Sequence, residues 1–171
     1  MYIGTTIAGV LLAAACAMPI VISNRNRSKR VKFFLDLLKN YASQVNGQID
    51  LYDVWNGTAV GVDKVKTKMF YIQTNGESRL EKEVNLKTVR LCQVEKKIRT
   101  VNMNGDSIKI FERIDLRITF TDAAMPELLL PFYNNNRDNL SIDRELELAN
   151  KWAALINELL AEHKSKSERH F

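Results

Sequence analysis

The sequence predicts an α+β protein. Its expected parts are an N-terminal transmembrane helix, a juxtamembrane amphipathic helix, and an antiparallel barrel or sandwich of about seven strands closed by a C-terminal helix. Three observations predict this. Residues 1–23 hold no charged side chain, short alternating runs between Asn-Gly turns fill the middle, and an apolar stripe at helical spacing runs near the end. The boundaries fall at 1–23, 24–46 and 47–162, with a polar tail at 163–171.

The apolar run, Tyr2 to Ile22, reads YIGTTIAGVLLAAACAMPIVI. As a helix it is about 31 Å long at ~1.5 Å per residue, matching a hydrocarbon core of about 30 Å. A cleaved signal peptide calls for a basic start, which is missing, and the apolar residues continue past the small-residue site Ala13-Ala14-Ala15. Lipidation at Cys16 lacks the same basic start and a polar tether after the cysteine. An uncleaved spanning helix accounts for the full length and for the switch to NRNRSKR at 24–30.

Charge gives the orientation. The chain has 25 Lys and Arg against 20 Asp and Glu, a formal net charge of +5 over 171 residues. Residues 24–39 hold six of those bases and only Asp36 among the acids, so the rest of the chain is balanced. A nucleic-acid-binding domain carries its basic face on the folded body, so nucleic acid is not an expected partner. A basic cluster behind an apolar run is instead a membrane-surface signal. It places residues 24–171 in the cytoplasm, as a single-pass protein of the inner (cytoplasmic) membrane. Arg25, Arg27, Lys29, Arg30 and Lys32 are the candidate membrane-surface contacts. Two cysteines, Cys16 and Cys92, make no disulfide framework, which suits a reducing compartment.

Residues 28–45, SKRVKFFLDLLKNYASQV, set Val31, Phe34, Leu35, Leu38 and Tyr41 at helical spacing, widened by Phe33 and Leu37. This stripe either lies in the headgroup region with its bases on lipid phosphates, or packs on the following domain. Asn46-Gly47 ends it.

From Ile49 the period becomes two. Ile49–Val54 alternates and Asn56-Gly57 reads as a tight hairpin turn. Strands follow over 58–62 and 67–73, separated by the charged residues 63–66, and Asn75-Gly76 turns again. A strand opens at Leu86 and runs towards Val101, with Asn104-Gly105 as the third turn. Two further strands, Ser107–Phe111 and Ile114–Thr121, precede Glu127–Tyr133, where Pro131 suits an edge or a strand end. Asn139-Leu140-Ser141 then caps a helix carrying Leu148, Ala149, Trp152, Leu155, Ile156, Leu159 and Leu160 on one face.

RIDLRITFTD at 113–122, ELLLPFY at 127–133 and NKWAALINELL at 150–160 follow one another as a strand pair and an aliphatic, Trp-containing helix. In this the chain resembles small bacterial pleckstrin-homology-like (PH-like) domains of proteins of unknown function, across residues 49–162. The resemblance rests on order and pattern. It implies a seven-strand body that binds peptides, lipids or other proteins and is not an enzyme. In relatives that bind phosphoinositides, a basic pocket lies at the first strand–turn–strand. Here that turn is Trp55-Asn56-Gly57-Thr58, preceded by Asp50 and Asp53, so that property does not carry over.

Catalytic and cofactor motifs are missing from the sequence. His163 and His170 are the only histidines, Cys92 has no CxxC partner, and no glycine-rich phosphate loop is present. The expectation is a non-catalytic binding or scaffolding module without a cofactor. It would be held at the membrane by its anchor, beside an unidentified protein partner. A peripheral sensor of anionic lipid, acting through the basic helix, and a secreted or lipidated domain are the alternatives. The binding groove is expected between the C-terminal helix and an exposed strand edge, where a peptide adds a strand.

Overall fold

The computed structural model describes residues 27–76, 78–103, 106–138, 142 and 144–168. Helix α1 covers residues 27–44. Strands β1 (Leu51–Trp55), β2 (Thr58–Asp63), β3 (Lys68–Asn75) and β4 (Ser78–Asn85) form one antiparallel sheet in that order. After a 3-10 turn at Leu86–Thr88, β5 (Val89–Met103), β6 (Asp106–Phe120) and β7 (Leu128–Asn134) form a second. Helix α2, Glu145–Glu168, follows and continues past residue 162.

The expected spanning helix at 1–23 lies outside the described residues. Among the described residues no helix is long and apolar enough to cross a membrane. The single-pass architecture and the inner-membrane location are therefore corrected: neither is supported. Both described helices are amphipathic. Helix α2 spends its apolar face on the main core, whereas α1 buries Phe34, Leu38 and Ala42 on the sheet and leaves Phe33 58% exposed.

The strands are also not the seven expected. Ser78–Asn85 reads SRLEKEVN and was not foreseen, because as an edge strand it buries only Val84. The two strands expected at 107–111 and 114–121 are one, β6. A register shift opposite Lys97 and Ile98 absorbs the break in alternation around Glu112. The third turn, Asn104-Gly105, lies outside the described residues.

The first turn follows its residues closely. Asn56 (φ 33°) and Gly57 (φ 73°) both take positive φ, as a two-residue hairpin between right-twisted strands requires. The β2–β3 connection is held from inside by buried Asp63, whose carboxylate accepts from the backbone N–H groups of Lys66 and Gln48 at 2.7 and 2.8 Å.

The four-stranded sheet is a middle layer, which explains why all six residues of β2 are buried. Val60 and Val62, with Met69 and Tyr71, face the main core. Ala59, Phe70 and Ile72 face Phe34, Leu38 and Ala42 of α1. Gly61 lets the helix approach, since a Cβ there would stand 2.8 Å from Leu38 Cδ2. The stripe at 28–45 thus packs on the domain. The main core is completed by Ile114, Leu116 and Ile118 of β6, Leu130 and Phe132 of β7, and the α2 face centred on Trp152. The indole Nε1 of Trp152 donates to Asp53 Oδ2 at 2.8 Å, tying α2 to β1.

Candidate docking surface

Two antiparallel sheets leave four edge strands, and an edge presents unpaired backbone N–H and C=O groups. Three of the four are protected along part of their length. On β5, the Asn157 amide of α2 closes Cys92 as a neighbouring strand would: Cys92 N–H donates to Asn157 Oδ1 at 3.0 Å, and Asn157 Nδ2 donates to the Cys92 carbonyl at 2.8 Å. The groove expected beside the C-terminal helix is shut at that point. On β7, the Pro131 carbonyl accepts from Tyr71 Oη at 2.6 Å and from Gln73 Nε2 at 3.2 Å. The next carbonyl, Phe132, accepts from Trp55 Nε1 at 3.0 Å, so side chains of the first sheet seal this edge. On β4, Arg79, Glu81, Lys82 and Glu83 guard the edge with alternating charge.

Strand β1 has none of these protections. It pairs only with β2, and Leu51 and Tyr52 are 41% and 42% exposed. The acid within it, Asp53, and the one just before it, Asp50, are already engaged. Asp53 Oδ2 accepts from Lys151 Nζ at 2.6 Å as well as from Trp152, and Asp50 Oδ2 accepts from Lys64 N–H at 2.7 Å. Beside this edge the first turns of α1 and the Tyr52 ring border an open groove of about 350 Å³, lined by Arg27, Ser28, Val31, Lys32 and Leu35. The apolar stripe of α1 is therefore divided. Phe34, Leu38 and Ala42 go under the helix, while Val31 and Leu35 look out over β1.

The five expected contact residues do not act as one patch. Arg25 lies outside the described residues. Arg27 and Lys32 line the groove beside β1, whereas Arg30 lines a second cavity of about 360 Å³ with Asn56, Gly57, Thr74 and Arg137. Lys29 is exposed on α1. None of Arg27, Lys29, Arg30 and Lys32 has an ion-pair partner among the described residues. In the second cavity Arg137 is largely neutralised by Asp138, which takes both its Nε and Nη2 at 2.9 and 2.7 Å. That cavity offers an anion much less net charge than its two arginines suggest. Sequence reasoning missed Tyr52 and Arg137, since each meets α1 only through the tertiary fold.

Nucleophile chemistry gains nothing from Cys92. Burial pushes its thiol up to about 12, so it is protonated at neutral pH. His163 Nε2 shares a hydrogen bond with buried Thr67 Oγ1, and His163 lines a third cavity with Glu158 and Glu162. Among the described residues no group of three or more His, Cys, Asp or Glu side chains is placed to hold a metal ion. No family model matches the chain, and no curated protein or solved structure matches it either.

Proposed function

We propose that this chain is a non-catalytic protein-binding module that takes an extended segment of its partner along the free edge of β1. The observation that carries the reading is that β1 has neither the side-chain caps found on β5 and β7 nor the alternating charge of β4, and that a groove lies beside it. Main-chain hydrogen bonds to an added strand supply affinity in such a mode, and the adjoining groove selects side chains. A protein partner is favoured over a lipid surface because Phe34, Leu38 and Ala42 are already buried on the sheet. The PH-like resemblance stays a proposal as well, supported by seven antiparallel strands followed by one long helix.

Panning a random peptide library on the full chain tests the reading. Enriched peptides are expected to slow amide hydrogen exchange in β1 and to lose binding when Leu51 and Tyr52 are both replaced by Lys. Peptides that bind the double variant equally well, or leave β1 exchange unchanged, would overturn it.

A further inference from the structure

Resting on the β1-edge reading, we infer that the partner segment is acidic, with apolar residues between its carboxylates on the side that faces α1. The argument is one of charge and shape. The groove floor is apolar, made by Val31, Leu35 and the Tyr52 ring, and its volume of about 350 Å³ suits one or two aliphatic side chains. Cations stand on its rim, Arg27 one turn before Val31 and Lys32 one residue after it. Among the described residues neither has a carboxylate partner, although ion pairs organise other bases there, such as Lys68 with Glu83 and Arg117 with Glu95.

The contrast lies along one helix and one strand. On α1, Arg27, Lys29, Arg30, Lys32 and Lys39 face a single acid, Asp36. On β1 the only acid, Asp53, is turned to the α2 side and held there by Lys151 and Trp152, and Asp50 just before the strand accepts from the Lys64 N–H. A strand added beside β1 has every second side chain on the α1 side. A carboxylate on that side meets Arg27 or Lys32, and an aliphatic residue two positions along meets Val31, Leu35 and Tyr52. A basic segment would meet like charge at both rim positions. A membrane surface would find the deepest apolar residues of the helix already covered.

The test uses the full chain and a synthetic peptide in which Thr alternates with Glu, Val, Val and Glu. Its comparators are the same peptide with Lys for Glu and the same peptide N-methylated at alternate backbone nitrogens. Binding is read by fluorescence anisotropy, with β1 amide exchange as the positional readout.

The acidic peptide should bind and protect β1, and the N-methylated one should not. Arg27→Gln with Lys32→Gln should weaken binding about tenfold, as expected for two exposed charge contacts. Both substitutions are on exposed positions, so the fold is kept. Raising ionic strength from about 0.05 M to about 0.5 M should weaken binding in the parent chain more than in the double variant. If the Lys peptide binds β1 as well as the Glu peptide, the acidic preference is wrong while the edge reading survives. If neither peptide protects β1, both fail. Binding to phosphatidylserine vesicles without peptide binding would likewise overturn the inference in favour of a lipid surface.

Discussion

A single amide shows how residue chemistry decides which edge stays open. Asn157 sits mid-helix on α2, where its intrinsic helix propensity is modest, yet its side chain satisfies both backbone groups of Cys92. Asn157→Leu should remove both bonds and cost about 1–3 kcal/mol, the penalty for leaving partly buried backbone groups unpaired. Urea denaturation measures this directly, and an unchanged midpoint would mean that water replaces the amide. Asp53 does related work, accepting from the exposed Lys151 and the buried Trp152 with one oxygen. Gly61 contributes by lacking a side chain, since any Cβ there would crowd Leu38 and Ile49.

Among the elements, α1 takes the second of the two readings its stripe allows, packing on the sheet. Its basic residues belong with a membrane surface by composition, but Phe34, Leu38 and Ala42 are used on the sheet. Leu38 is fully buried between the helix and Gly61. Leu38→Ala is expected to destabilise the protein by about 2–5 kcal/mol, as for other large-to-small core changes. Thermal unfolding checks this, and a shift within error would mean that α1 is not docked in solution. The β5–β6 ribbon behaves differently. Strand β7 pairs with β6 only over Arg113–Ile118, so the ribbon continues beyond it as two strands. Ile98 and Ile108 are exposed there, while Glu112 bridges Lys97 and Arg99 at 3.1 and 3.2 Å.

For the whole molecule, the two sheets and α2 enclose groups that ionise only when they leave the core. Burial raises the Cys92 thiol from its ordinary value of 9.0 to about 12, and it raises the hydroxyl of Tyr71 as well. Between those limits the unfolded chain has lost the thiol proton and the folded chain has kept it, so stability falls as pH rises from about 9 to about 12. Tyr71 adds to the same trend above its ordinary value of 10.0. Comparing denaturation midpoints at about pH 8 and about pH 10.5 should show a smaller loss in Cys92→Ala than in the parent chain. Equal losses would place the titrating group elsewhere. The expected cost to packing at both pH values does not affect that comparison.

How much of this was legible beforehand depended on range. Asn56-Gly57 fixed its hairpin because two positive-φ positions are a local demand, and the α2 stripe through Trp152 and Ile156 announced its buried face through 3.6-residue spacing. Strand β4 was illegible, since a charged edge strand buries too little to leave a period, and the break at Glu112 concealed the continuity of β6. The candidate site was half visible: Arg27, Lys32, Val31 and Leu35 could be singled out in the sequence, but Tyr52 could not be joined to them. By itself the sequence determined the charge balance, the helical stripes and the turn positions, all set by neighbours along the chain. Only the tertiary structure decided that the α1 stripe meets a sheet, that Asn157 closes β5 at Cys92 and that Tyr52 meets the first turns of α1. Burial and edge pairing are settled by which surfaces meet in space, and residues 27–35 meet β1 only once the four-stranded sheet has formed beneath them.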